Sequence, residues 1–289
     1  MLKKLLILIP MFIGVARTYS QSVDSTRDDK KLSLKLGTEF ISNQSYVGRT
    51  DSMNLPVIIP YVNFETRFGV FVKTSAYLNL SGGAVSFDGV SIEPGYEFSK
   101  NNWDGSISFT KNFISQSSNL IVAPVKSAID FYLQKTYKII TPSIGAEYLF
   151  SDEGNDFIFY TGVSKEITLA KYKKSPLVSI DPAITVNGGS QNFYYSFLKN
   201  YSGNGHGKNS GSNKKNNPVP VTQTTEDESS RFALLSTSFE LPISITKGKF
   251  EWKTTPAYEL PFNLAASGQT GTQQAQPYFY IRSELIYSF

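Results

Sequence analysis

The chain has 289 residues, no cysteine, one histidine and a formal net charge of +4 at pH 7. The missing cysteines exclude disulfides, thiolate metal sites and lipid attachment at an N-terminal cysteine. The 21 Phe and 17 Tyr coexist with a mildly polar mean hydropathy of −0.20, so the apolar residues are dispersed and not gathered into helix-length runs.

The first stretch, MLKKLLILIPMFIGVARTYS, carries two lysines, an apolar run from Leu5 to Val15, and a small residue, Ser20, before Gln21. This layout predicts a cleaved secretory signal peptide over 1–20. A membrane anchor needs about 20 apolar residues, and this run is shorter and interrupted by Pro10 and Gly14. Cleavage removes Lys3, Lys4 and Arg17 and no acid, which lowers the net charge from +4 to +1. Nucleic-acid binding then has no electrostatic support. Residues 21–30 are polar and predict a flexible leader; 31–289 carry the rest of the fold.

From residue 31 onward, twelve segments alternate at period two, the signature of half-buried strands. The first (about 31–42) sets Leu32, Leu34, Leu36 and Phe40 against Lys35 and Glu39. The second (about 57–69) sets Val62, Phe64 and Phe68 against Glu65 and Arg67, and the third (about 70–80) Val70, Val72 and Leu78 against Lys73 and Tyr77. The fourth (about 86–99) opposes Val90, Ile92, Tyr96 and Phe98 to Glu93 and Glu97. Trp103, Ile107 and Phe109 mark the fifth, and Ile129, Phe131 and Leu133 the sixth. Ile144, Ala146 and Tyr148 mark the seventh, opposite Glu147. Phe157 and Phe159 mark the eighth, and Val178, Ile180 and Ile184 the ninth, opposite Asp181. The tenth (about 230–246) carries Leu235, Phe239 and Leu241 around Glu240. The eleventh (about 249–264) carries Phe250, Trp252 and Tyr258 against Glu251, Lys253 and Glu259. The twelfth, QPYFYIRSELIYSF, sets Phe279, Ile281, Leu285, Tyr287 and Phe289 against Tyr280, Arg282 and Glu284.

A secreted β-sandwich shows the same alternation. The connections favour a barrel, because short turns join segments two to three, four to five, six to seven, eight to nine and ten to eleven. The intervening connections are mostly longer and polar, although 81–85 and 151–155 are short. Short turns at one end and long loops at the other describe an outer-membrane barrel with periplasmic turns. Four prolines inside predicted strands, Pro94, Pro142, Pro182 and Pro256, lack the ladder donor and are expected at bulges or strand ends.

The signal peptide, the alternating segments and the terminal L-I-Y-S-F together resemble a bacterial outer-membrane β-barrel protein of the Gram-negative type. The resemblance covers the whole mature chain and singles out no particular family. It implies a twelve-stranded transmembrane antiparallel barrel in contact with outer-membrane lipids. It also implies that Tyr287 and Phe289 form a terminal signal read by the barrel-assembly machinery.

The longest connection, about 188–229, opens on NGGSQ and the aromatics Phe193, Tyr194, Tyr195 and Phe197, runs through a Gly/Asn/Ser/Lys-rich middle, and ends at Glu226, Asp227 and Glu228. The middle is expected to be mobile. The aromatic part has three open fates: extending strand nine, folding into the mouth, or meeting an extracellular protein or glycan. His206, the single histidine, falls in that mobile part. A hydrolase of the Ser-His or metal-His kind needs an imidazole held against its partners, so a lipid-modifying enzyme is disfavoured. No spacing singles out a glycosidase carboxylate pair, and no catalytic residue, cofactor or metal is expected.

The inward faces hold the informative charges. The candidate lumen residues are the acids Glu39, Glu65, Glu93, Glu97, Glu147, Asp181, Glu240, Glu251, Glu259 and Glu284 and the bases Arg67, Lys73, Lys253 and Arg282. An acid-rich wall favours cations. The competing expectation is that these charges pair across the lumen and fill it. The leading function is thus a small porin-like channel for cations or small polar solutes, with a non-transporting barrel acting through the 188–229 loop as the alternative.

Overall fold

The computed structural model describes residues 32–50, 55–80, 85–115, 118–151, 154–172, 175–196, 231–263 and 276–289. The expected signal peptide and leader, His206 and all of the long loop beyond residue 196 up to 230 lie outside the described residues. In chain order the strands are β1 (Leu32–Ile41), β2 (Ser45–Tyr46), β3 (Arg49–Thr50), β4 (Val57–Thr66), β5 (Val70–Asn79), β6 (Ser86–Lys100), β7 (Trp103–Ile114), β8 (Val125–Lys135) and β9 (Thr141–Ser151). There follow β10 (Asp156–Ser164), β11 (Ile167–Tyr172), β12 (Ser175–Ile180), β13 (Ala183–Gly189), β14 (Ala233–Glu240), β15 (Ile243–Lys247), β16 (Phe250–Pro261) and β17 (Tyr278–Ser288).

Every main pairing is antiparallel, and β17 returns to β1 in the register Lys35↔Ser288 to Ile41↔Arg282. The sheet therefore closes on itself as a 12-strand barrel, which removes the free edges that a sandwich would have to protect. The staves run β1, β4, β5, β6, β7, β8, β9, β10, β13, β14, β16 and β17, and β11, β12 and β15 continue β10, β13 and β14 past a break.

Alternation decides which residues face out. Leu36, Phe64, Val72, Ile107, Phe131, Ile144, Phe239 and Leu285 are exposed although strongly apolar, and they sit in register around the outside. Aromatics mark both rims. Phe68, Trp103, Tyr137, Phe250 and Phe289 are exposed at the turn end, and Phe87, Phe113, Phe157, Phe232 and Phe279 at the loop end. An apolar band between aromatic girdles, with polar side chains inside, is the architecture of an outer-membrane barrel.

Three staves correct the expectation of unbroken strands. The breaks fall at Lys165–Glu166, Asp181–Pro182 and Leu241–Pro242, between β10 and β11, β12 and β13, and β14 and β15. They lie side by side, and each break keeps one backbone hydrogen bond to a proline carbonyl on the next stave. Lys165 N donates to Pro182 O at 3.1 Å, Asp181 N to Pro242 O at 2.9 Å, and Leu241 N to Pro256 O at 3.0 Å. Proline cannot donate but its carbonyl still accepts, so the row of prolines interrupts the ladder without opening the wall. Pro142 is the second residue of β9, a strand end as expected, and Pro94 and Pro256 sit within β6 and β16 with the register intact on one side, Val72↔Pro94 and Pro256↔Ile281.

Candidate functional site

The lumen is built from inward residues held by the pleat. Several glycines open space for a ring on the facing stave: Gly37 is paired with Tyr61, Gly145 with Tyr160 and Gly95 with Phe71. A side-chain carbon added at any of the three would lie inside the ring opposite, an arrangement in which the aromatic covers the bare backbone. Laid flat this way, the tyrosines aim their hydroxyls at carboxylates. Tyr61 donates to Glu284 at 2.6 Å, and Tyr160 to Asp130 at 2.9 Å. Ser238 similarly donates to Glu259 at 2.6 Å, and Gln134 to Asp104 at 3.1 Å. Neutral donors satisfy these oxygens and leave the charge of each carboxylate uncancelled by that contact.

Other lumen carboxylates have cationic partners. Arg282 lies 3.2 Å from Glu39 and 3.7 Å from Glu240, and Lys35 lies 3.3 Å from Glu65. Glu39 and Glu284 face each other directly across β1 and β17. Like charges so placed repel, and the structure separates their partners: Arg282 approaches Glu39, and Tyr61 takes Glu284. Lys253 stands opposite Glu284 on β16, and the Lys73 ammonium sits 4.5 Å above the Tyr61 ring.

The remaining candidates are placed as follows. Glu93 is fully buried on β6, Glu97 is half-buried further along the same stave, and Glu147 on β9 accepts from the Tyr46 hydroxyl. Asp181 is buried at the central wall break, and Glu251 is half-buried near the turn end of β16. Arg67 departs from the sequence reading: it is exposed in the β4–β5 turn with its guanidinium 4.6 Å over Phe68, outside the lumen. Tyr287 packs its ring 4.7 Å from both Phe250 and Phe289 on the outer face, and Phe289 N donates to Leu34 O at 2.9 Å across the seam.

At the loop end the structure departs from the picture of outward polar loops. The segment between β1 and β4 folds inward as a hairpin, β2 and β3, joined by Val47 and Gly48, both with positive φ (49° and 76°). Two positive φ values are what a tight two-residue hairpin requires, and a side chain on Gly48 would strike Ser236 on the wall. The stretch 118–125 brings in Leu120, Ile121 and Val122, and a helical turn over 192–196 brings in Phe193, Tyr194 and Tyr195. Of the three fates open to that aromatic group, folding into the mouth is the one observed for Phe193, Tyr194 and Tyr195, and Phe197 lies outside the described residues. Tyr46, Leu120, Ile121, Val122, Phe193 and Tyr194 form one core with Ile41, Val57, Ile59, Tyr77 and Leu149 of the staves.

Polar clasps fix the three segments to one another and to the wall. Arg49, fully buried, donates through Nε to Gln191 Oε1 (2.9 Å), through Nη1 to Leu235 O (3.2 Å), and through Nη2 to Phe262 O (2.9 Å) and Asn263 O (3.2 Å). Burial lowers its pKa to about 10, against the raising effect of Tyr194, Tyr278 and Glu259. Ile121 N donates to Gln44 Oε1 at 2.9 Å. Asp156, the first residue of β10, accepts from Asn192 N, Phe193 N and the Ser190 hydroxyl, and so caps the helical turn. Burial and then the neighbouring Glu147 hold the Tyr46 phenol well above its ordinary pKa.

Arg49, Tyr46 and Asp156 carry this mouth and were absent from the sequence-derived candidates. For Asp156 a signal existed, since it extends the alternation of Phe157 and Phe159 by one position. For the plug hairpin none did, because two-residue strands have no readable period.

No protein-family model matches the chain, and no curated protein matches its sequence. Among solved structures it is similar to the KdgM porin, with TM-score 0.45 and 8% identity over 89% of this chain and 99% of that one. It is also similar to the NanC porin, with TM-score 0.44 and 10% identity over 88% and 98%, and to a COG4313 outer membrane channel from Pseudomonas putida F1, with TM-score 0.45 and 6% identity over 89% and 94%. Likeness at this level says nothing about solute or activity.

Proposed function

We propose that the chain is exported, loses residues 1–20, and resides in a bacterial outer membrane as a small porin-like channel for cations or small polar solutes, closed at its loop end in the conformation described. The observation that carries this reading is that several lumen carboxylates take neutral donors. Tyr61 and Ser238 satisfy Glu284 and Glu259 without neutralising them, which keeps negative potential in a narrow, low-dielectric-walled space. The packed mouth makes conduction depend on displacement of the hairpin and the 118–125 segment. Outer-membrane lipids and the assembly machinery are the partners implied, with Tyr287 and Phe289 as the assembly signal.

The test is planar-bilayer recording of the refolded mature chain in a salt gradient. Replacing Glu93, Glu97 and Glu147 together with Gln lowers the cation preference if they border the path. A silent bilayer under all voltages, or anion selectivity, sinks the channel reading. The apolar nature of the mouth core favours a second reading, a non-transporting barrel that displays the 188–229 loop to an extracellular protein or glycan. A permanently silent wild type whose loop-deleted form loses surface binding would select it.

A further inference from the structure

The row of wall breaks coincides with an apolar groove of about 560 Å³ on the outside of the barrel. That size falls within the roughly 300–1,000 Å³ of small-molecule sites. Its sides are the outward residues Val163, Ile184, Phe239, Leu241 and Tyr258, contributed by four adjacent staves and the break between β14 and β15, and Pro182 and Pro256 border it where the ladder is interrupted. At its turn end stands Lys165, whose ammonium donates to Lys138 O at 2.6 Å in the β8–β9 turn.

We propose that this groove seats one acyl chain of an anionic phospholipid from the leaflet at the turn end, with the phosphate on Lys165. Two observations commit the groove to that occupant. It opens within the lipid-facing apolar band, so its occupant comes from the bilayer and not from the lumen or the aqueous phase. Of the two charged residues along it, Glu240 turns its carboxylate inward, 3.7 Å from Arg282, while Lys165 is cationic and sits at the end facing the headgroup layer, where an ammonium complements a phosphate. A smooth barrel wall offers lipid only a rolling contact; the groove at the interrupted staves offers a furrow along which a chain is held on several sides.

The full mature protein in nanodiscs, with either phosphatidylglycerol or phosphatidylcholine carrying a diazirine in one acyl tail, provides the test. Adducts are mapped by peptide mass spectrometry after illumination. The proposal predicts adducts on Val163, Ile184, Phe239 and Leu241 several-fold above those on the opposite wall, β4 to β6, and more with phosphatidylglycerol than with phosphatidylcholine. Leu241→Trp fills the groove and reduces the adducts, and Lys165→Glu abolishes the preference for phosphatidylglycerol. Ile184→Trp replaces Leu241→Trp if the latter lacks the folded band on unheated gels. Adducts spread evenly round the belt, adducts unchanged in a folded groove-filling variant, or equal labelling by the two lipids would each overturn it.

Discussion

The buried guanidinium of Arg49 makes the closed mouth directly testable. Arg49→Met keeps most of the side-chain volume and removes four donated hydrogen bonds of 2.9–3.2 Å. Hydrogen bonds from a charged group contribute about 1.5–3 kcal/mol each, but two of these acceptors, Phe262 O and Asn263 O, are only part-buried and regain water. Counting the two buried ones gives a loss of roughly 3–6 kcal/mol. Since 1.4 kcal/mol is a factor of ten, the open population should rise by at least about 10²-fold. The chain has no native cysteine, so Ile121→Cys is a clean probe in the mouth, where Ile121 is 1% exposed; Val85→Cys, at 66% exposure, serves as the reference. A bulky membrane-impermeant maleimide should label Ile121→Cys slowly, and Arg49→Met should accelerate it by about 10²-fold. Arg49→Lys should accelerate it as well, because one ammonium cannot reproduce the planar fork. Labelling of Ile121→Cys as fast as Val85→Cys with Arg49 intact, or no acceleration in Arg49→Met, would refute the clasp.

Four further outcomes follow from named contacts. Arg282→Met leaves Glu39 and Glu240 without their cation and should cost about 3–5 kcal/mol in denaturant unfolding from micelles, part of it restored by adding Glu240→Gln. Gly145→Ala drives a carbon into the Tyr160 ring and should cost about 1–3 kcal/mol; with Tyr160→Ala present the same change should cost far less, and strict additivity would contradict the ring-over-glycine packing. Ile107→Lys places a charge on the outer face between Tyr96 and Phe131 and should lower folding stability in bilayers by up to about 2–4 kcal/mol, while a soluble barrel would tolerate it. Alkali should loosen the mouth through Tyr46: its raised pKa gives a contribution that is complete below about pH 10 and is lost as pH rises above it. Arg49, lowered to about 10, acts in the opposite sense over the same range; Tyr46→Phe should therefore abolish alkaline acceleration of Ile121→Cys labelling.

The barrel was legible because its physics repeats at every stave. Period-two alternation assigned Glu39, Glu93, Arg282 and Glu284 to one face and Phe64, Ile107 and Leu285 to the other, and the closed register places them there. Two of the four suspect prolines, Pro182 and Pro256, accept hydrogen bonds along the row of breaks that divides three staves. The mouth was not legible. Tyr46 and Leu120 lie in segments that read as polar loops, the aromatic group at Phe193 left three fates open, and only contacts across 70 to 150 positions of sequence, such as Ile121 N to Gln44 and Arg49 to Gln191, make them a core. Arg67 misled because its alternation runs one residue past the end of β4 into the turn, where nothing enforces the inward direction.

Ion selectivity tests the channel account most directly. The mature protein and its Arg49→Met variant are recorded in a planar bilayer under a KCl gradient, and the reversal potential is read. The account predicts rare openings for the wild type, frequent openings for the variant, and a reversal potential on the potassium side for both. A variant that labels freely at Ile121→Cys yet passes no current, or passes chloride in preference, would contradict it.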